Sequence, residues 1–508
     1  MNLDAANVEI RETRLGTIVN WDGSAKDLVE ASQYEARGKG ERKKCGPGEG
    51  CRLCANAGPF SQATSCSSKM VSCQAGMVVD AVLIQHSSIG CAIDAANYNT
   101  TYRVGLKLRG YEVEDIRTVT TNLLEKDMVF GATEKLKQTI KDVWERLKPK
   151  VIFIGNSCAT AIIGEDIESA AREAEAEYGI PVVVVTCEGF RSAHWTTGFD
   201  TVQHGILRQV VNKEPKKQED LVNVINLFGS DVFTPMFKEL NLRVNFAVDL
   251  ATVENLRQLS EATCTTTFCY TLSSYIAAGL EQEYGVKEIK AKQPYGFEGT
   301  DEWLREIAKA TNRVELAEKY IAKEHERVEK ELVKYREKFK GIKAVVATGS
   351  AYAHGLVTVL RELGIEVDGT LVFHHDPVYD SGDVRQDTLK TLVDQTGDIK
   401  NFVVANRQQF AFASLIKKTK PDFVIVRHTG LAPLASQFGV PGVAIGDENK
   451  SIGYQGLLNI AETVEAVLQR RKFNEDISKH VDIPYTDWWL SQEDPLVLAK
   501  HPEILEEA

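Results

Sequence analysis

No stretch of this 508-residue sequence stays apolar long enough to span a membrane; its longest mostly apolar runs, 77–84 and 182–185, are strand-sized. Segment 1–16 mixes charges with single apolar residues and has no h-region, so no signal peptide is expected and the chain reads as cytoplasmic. Positive charge is not in excess either. The formal net charge of −12 argues against a nucleic-acid partner, because phosphate binding needs a basic surface. There is no repeat of fixed period and no low-complexity tract, which excludes a solenoid. A G-x-x-x-x-G-K-[ST] loop is missing, as is a G-x-G-x-x-G following a strand, so any nucleotide chemistry belongs on another chain.

What is present is an alternation of short β-branched runs with amphipathic helical stretches from about residue 77 onward. Strands are predicted at 79–85, 151–154, 181–186, 222–227, 344–347, 402–404, 423–426 and 442–445, and helices at 133–147, 165–178, 201–211, 254–261, 302–310 and 356–363. This pattern predicts an α/β protein of doubly wound, Rossmann-like parallel-sheet domains; the chain length suggests about three. The strands read as continuous apolar runs, as expected when helices cover both faces. Boundaries are placed to give an N-terminal wrapping segment over 1–60 and α/β domains over 61–215, 216–340 and 341–450. Residues 451–508 are expected to form a C-terminal helix and an arm, with 485–489 (YTDWW) packing on the body or a partner. The charge-alternating stretch 313–340 is expected as one long helix.

Ten cysteines in a reducing compartment are not expected to form disulfides, and a buried free thiol is the default for any one of them. Position sets some apart, because open parallel sheets bind ligands at the carboxyl ends of their strands. Cys91 follows strand 79–85 through HSSIG; Cys158 follows 151–154 through Gly155, Asn156 and Ser157; Cys187 follows 181–186; and Cys66 sits in the polar segment SCSS. Thiolates in loops beside Gly and Ser are a common way to hold iron–sulfur clusters, and a helix start after Cys158 favours the thiolate. Zinc is the rival, but structural zinc sites prefer close C-x-x-C pairs, whereas Cys66, Cys91 and Cys158 lie far apart in sequence. Three ligands are one short of a self-contained four-cysteine site, which points to ligands from a second chain. The compact set Cys45, Cys51 and Cys54 reads either as incidental thiols or as a zinc or further iron–sulfur site; Cys73, Cys187 and Cys264 read as core or supporting residues.

At these residues the sequence resembles the alpha chain of nitrogenase component 1 and its relatives. Residues 86–91 (HSSIGC) and 156–169 (NSCATAIIGEDIES) are similar to two ligand motifs of the family's eight-iron P-cluster, and Cys66 matches the first ligand. The turn 188–191 (EGFR) matches the family's Gly-Phe-Arg turn beside the active site, and 268–276 (FCYTLSSYI) looks like the segment whose cysteine, here Cys269, caps the large iron–sulfur cofactor. Segments 281–284 and 302–308 continue the match, and the resemblance covers most of residues 60–470. It implies Cys66, Cys91 and Cys158 as half of a P-cluster-like eight-iron cluster shared with a homologous beta-type subunit in an α2β2 assembly. It also implies electron delivery by a transiently docking, ATP-hydrolysing iron protein.

Departures refine what the resemblance implies. Cys269 separates the chain from the tetrapyrrole reductases, which carry only the bridging cluster. The family's histidine ligand to the far end of the cofactor should follow Gly439, Val440 and Pro441, where this chain has none; Asp447 or Glu448 occupies roughly that place. His428 is the preferred substitute and His354, at the end of GSAYAH from Gly349, the second. Phe199 stands where molybdenum nitrogenase has a histidine, with His194 and Trp195 close by, and no lysine occurs between Lys420 and Lys450. Both differences argue against classical dinitrogen reduction. The chain looks like the D subunit of methylthio-alkane reductase, which cleaves small thioethers to methanethiol and a hydrocarbon. Pocket residues expected on this basis are Cys269, Gly349, Tyr352, His354, His428, Asp447, Arg191 and His194, the last as a proton donor. The alternatives are a cofactor-assembly scaffold, which 448–464 resembles equally well, and an alternative nitrogenase.

Overall fold

The computed structural model describes residues 2–9, 11–32, 66–186, 188–192, 195–226, 228–377, 387–405, 409–427, 430–447, 449–492, 494, 497 and 501–505. Cys45, Cys51, Cys54, Cys187, His194, His428 and Glu448 lie outside the described residues. The chain divides into two compact units, one of Met1–Arg14, Thr64–Ile289 and Glu306–Ala317, the other of Leu15–Ala63, Lys290–Arg305 and Glu318–Ala508.

The first unit holds two four-stranded parallel sheets. In spatial order they are Thr118–Thr120, Ala81–His86, Val151–Asn156, Val182–Val185 and Arg243–Val248, Gln218–Asn226, Ala262–Thr267, Lys287–Glu288. Strand side chains alternate between two covered faces. Leu83 and Phe153 enter one core with Ile225 and Val248 of the second sheet, while Val82, Ile84, Ile152 and Ile154 enter another under helices Thr133–Leu147 and Ile167–Tyr178. Helix Thr197–Gln209 contributes Val202, Ile206 and Leu207 to the first of these cores and is buried from Thr197 through Leu207.

The second unit holds one six-stranded sheet, Asn20–Gly23, Asn401–Ala405, Glu366–Val372, Lys343–Thr348, Phe423–Val426, Gly442–Ala444, parallel except for the antiparallel edge strand Asn20–Gly23. Tyr485 and Trp489 of the C-terminal arm set their rings 5.2 and 4.9 Å from Phe410 on helix Gln409–Thr419. The charged helix runs over Val314–Lys338. Among the described residues no helix is long and apolar enough to cross a membrane.

Helix Thr133–Leu147 and strand Phe423–Val426 coincide with the sequence reading. Helices expected at 201–211, 302–310 and 356–363 begin earlier, at Thr197, Gly296 and Ser350. Their first turns are rich in Gly, Ser and Thr, whose weak helix propensity is overridden by burial. The stretch expected as helix 254–261 splits into helix Val253–Arg257 and a 3₁₀ turn, Gln258–Glu261.

The close approach of two helices at Gly198 supplies a test. A Cβ there would overlap the Ser67 carbonyl oxygen and lie 2.8 Å from Met70 Cβ. Overpacking of this kind costs about 1–3 kcal/mol, so Gly198→Ala is expected to lower the thermal midpoint by several degrees. A melt within one degree of the parent would contradict that packing.

Candidate metal-cluster site

In each sheet the strand order reverses at one crevice, and such switch points are where doubly wound folds place ligands. All three crevices carry residues singled out from the sequence. In the first sheet the reversal lies between Ala81–His86 and Val151–Asn156, paired through His86↔Asn156. Cys91 follows the former strand on the short helix Ile89–Ala92, and Cys158 opens helix Cys158–Ile163 after the latter. Ser157 caps that helix, its hydroxyl accepting from the Thr160 N–H at 3.4 Å, so the backbone around Cys158 is fixed locally. Cys66 is the N-cap of helix Ser67–Ala75, with its Sγ 3.2 Å from Ser68 Oγ.

Cys66 and Cys91 are exposed and Cys158 is half-buried. Gly189, in the turn 188–191, brings two of them together: a Cβ built there would overlap Cys66 Sγ and lie 3.5 Å from Cys158 Sγ. The absent side chain leaves a cradle in which both sulfurs face the same piece of backbone. Beside Cys91, Gly90 opens on free space. Large apolar side chains stand exposed around these thiols: Ile89, Ile93, Ile162 and Phe190 are each more than 60% exposed. Helix Glu125–Phe130 packs beside Cys158–Ile163 and exposes Val129 and Phe130. His86, the last residue of the strand before Cys91, meets Thr121 Oγ1 at 3.1 Å through Nδ1, and burial pushes its pKa down to about 4, so it is neutral.

The second reversal lies between Gln218–Asn226 and Ala262–Thr267. Cys269 follows the latter strand as N-cap of helix Tyr270–Tyr284 and is only 4% exposed. Its N–H donates to Thr267 Oγ1 at 3.1 Å, and its carbonyl accepts from Ser273 Oγ and the Leu272 N–H, both at 3.0 Å. Cys73 and Cys264 are buried, and burial pushes the Cys264 thiol up to about 12, which keeps it inert.

The third reversal, in the other unit, lies between Lys343–Thr348 and Phe423–Val426. Gly349 is the N-cap of helix Ser350–Glu362, which carries Tyr352 and His354. Arg427 stacks its guanidinium 5.0 Å over the Tyr352 ring. The sequence reading passed over Arg427, although its place directly after a strand at the crevice marks it. His354 is buried, bonded through Nδ1 to Thr388 Oγ1 at 2.7 Å, and its Nε2 has no hydrogen-bond partner among the described residues. Burial, then the neighbouring His375 and His374, hold its pKa well below the usual value, so it is a neutral imidazole. Asp447 is half-buried and its carboxylate accepts from the Asn449 N–H at 3.0 Å. Arg191 donates to the Val8 carbonyl at 3.2 Å and lies 3.8 Å from the Glu188 carboxylate. Among the described residues no three His, Cys, Asp or Glu side chains converge as ligands to one ion.

Asp387, next to Thr388, caps helix Thr388–Thr396 by accepting from the Leu389 and Lys390 N–H groups, each at 3.0 Å. Burial raises its pKa from 3.8 to about 7. A carboxyl raised on folding binds its proton more tightly in the native state, so its unfavourable contribution is absent below the unfolded pKa, grows as pH rises, and is complete above about 7. Asp387→Asn keeps the cap and removes the charge. The gain in melting temperature over the parent is therefore expected to be larger at pH 8 than at pH 5; an equal shift at both would contradict it.

Residues 66–469 match the model of the family described as nitrogenase component 1 type oxidoreductase. The nitrogenase molybdenum-iron protein alpha chain of Methanosarcina barkeri is 30% identical over 58% of this chain and 56% of its own length, so the match spans little more than half of that relative. The nitrogenase iron-molybdenum cofactor biosynthesis protein NifE of Clostridium pasteurianum is 26% identical over 85% of this chain and 92% of its own. The solved structure "Nitrogenase Cp1 at pH 6.5" superposes with a TM-score of 0.69 at 20% identity, covering 85% of this chain and 93% of that one, and so supports the fold. With a family match over residues 66–469 and three largely parallel sheets, this chain belongs to the nitrogenase component 1 type oxidoreductases.

Proposed function

We propose that this chain is the catalytic alpha-type subunit of a nitrogenase-like reductase that cleaves the C–S bond of small methylthio-alkanes. The carrying observation is the separation of thiols into two kinds of site: Cys66 and Cys158 at the Gly189 turn with Cys91 on the short helix Ile89–Ala92, none of them fully buried, and Cys269, buried just after a strand of a different sheet. Soft thiolates suit iron–sulfur clusters, and the missing side chain of Gly189 leaves room for the sulfurs of Cys66 and Cys158, which would help hold such a cluster. The exposed apolar rim of Ile89, Ile93, Ile162 and Phe190 suits burial against a homologous beta-type subunit, which would supply the remaining ligands. Clusters held at these thiols would supply electron transfer and the redox chemistry of the reaction, with electrons arriving from an ATP-hydrolysing iron protein.

The chain's own residues would do the rest. Cys269 would anchor the active-site cofactor. Arg191 would place a fixed cation beside the anionic centre. His194 would donate a proton to the leaving thiolate. The overall reaction takes R–S–CH₃, two electrons and two protons to RH and CH₃SH. His194→Gln is expected to lower turnover about 10²-fold or more, the usual contribution of a general acid; undiminished turnover would remove His194 from the mechanism.

A second reading, a cofactor-assembly scaffold, is favoured by the broad match to NifE. The deciding experiment offers ethyl methyl sulfide or dimethyl sulfide, with iron protein and ATP, to the chain co-purified anaerobically with its partner. Release of methanethiol with one equivalent of hydrocarbon supports the reductase. Transfer of the cofactor to an acceptor protein without turnover supports the scaffold.

A further inference from the structure

The described residues between 2 and 14 form a strap along the groove between helices Thr197–Gln209 and Tyr270–Tyr284, and we infer that Arg11 in this strap is a positioning residue for the Cys269 thiol. Arg11 is completely buried. Its Nε and one Nη donate to the two oxygens of Asp200, at 3.2 and 2.6 Å, and the same Nη donates to the Thr271 carbonyl at 2.6 Å. Asp200, itself fully buried, also accepts from Arg14 at 2.5 Å, and the Arg14 guanidinium lies 5.1 Å over the Tyr275 ring.

Other parts of the strap repeat the pattern. The Ala5 carbonyl accepts from His204 Nε2 at 2.6 Å. The proton on Nε2 leaves Nδ1 as acceptor for the Tyr275 hydroxyl at 2.8 Å, and burial lowers the His204 pKa, consistent with that neutral tautomer. Asp200 and His204 are four residues apart, as are Thr271 and Tyr275, so each pair lies on one face of its helix. Both stripes therefore face the strap. Gln203 adds a direct tie between the helices, donating to the Leu272 carbonyl and accepting from the Ile276 N–H at 3.1 Å.

Thr271 stands in the first turn of the helix that Cys269 caps. Its carbonyl is held by a guanidinium whose fork is fixed in two directions by Asp200, a geometry lysine cannot reproduce. Through this bond the N-terminal strap sets where the first turn, and with it the Cys269 side chain, sits relative to helix Thr197–Gln209. The strap reaches the other thiol site as well: the Val8 carbonyl accepts from Arg191, two residues after Gly189.

This inference builds on the reading of Cys269 as the functional thiol, but its first readout needs no metal. In the metal-free full chain, iodoacetamide alkylation of Cys269 is compared with that of Cys264, a buried thiol on the strand just before it. In Arg11→Met the ratio of Cys269 to Cys264 labelling is expected to rise at least tenfold, with faster amide exchange over 270–275. Arg11→Lys, which keeps a cation but not the fork, should fall between the two and serves as the reading if the Met variant does not fold. In the complex loaded with its clusters, the paramagnetic resonance lines of the Cys269-held centre are expected to shift in Arg11→Met and less in Arg11→Lys. An unchanged labelling ratio, or a rise in both thiols together, would overturn the inference, because either means the strap acts on overall stability alone.

Discussion

Cys269→Ala is expected to abolish thioether reduction while leaving the three-cysteine site loaded. The thiol is 4% exposed at the second switch point, and the Thr267 hydroxyl and Ser273 fix its backbone. Alanine preserves those main-chain bonds and the helix start, so the substitution removes a ligand and little else. Loss of an outer-shell partner costs a metal site about 10–100-fold; loss of the proposed anchoring thiolate should cost more, leaving turnover below about 1% of the parent. Resonance signals from the bridging centre and association with the partner chain should persist. Retained turnover in the alanine variant would dismiss Cys269 as the anchor, and loss of both centres together would mean that the two sites are not independent.

Gly189→Ala should strike the other site. The added methyl would overlap Cys66 Sγ, so that side chain or the 188–191 turn must move. Overpacking costs about 1–3 kcal/mol, and the displaced thiol would also lose its place beside Cys158. The expected result is a chain that remains folded, binds at least tenfold less bridging-cluster iron, and associates poorly with its partner. Gly90→Ala is the matched control, because a Cβ there meets nothing within 4 Å. Equal iron content in the two variants would show that the Gly189 cradle is not part of the site.

The parallel-sheet architecture was legible because buried parallel strands must be apolar on both faces. Runs such as Val182–Val185 and Phe423–Val426 stand out for that reason. Ala262–Thr267, all six of whose residues are Thr, Cys or Ala, gives no such signal and was not predicted, although Cys269 follows it. Arg243–Val248 has an exposed start and was missed likewise. Cysteines at strand ends were visible because sequence order places loops after strands. The meeting of Cys66 with Cys158 was not, since it depends on a glycine in a third loop, Gly189. Arg11 was beyond reach for the same reason: its partner Asp200 lies 189 residues away, and nothing local marks either as buried. Local pattern gives elements and their ends; the pairing of distant polar groups emerges only when the elements pack.

The central claim is that two separate thiol sites hold two separate iron–sulfur centres. Iron and acid-labile sulfide, measured per chain pair in the anaerobically purified parent complex and in its Cys269→Ala counterpart, test it most directly. The parent should contain markedly more of both than the variant, with the variant retaining the bridging centre's share. Equal iron and sulfide in the two preparations would contradict the account.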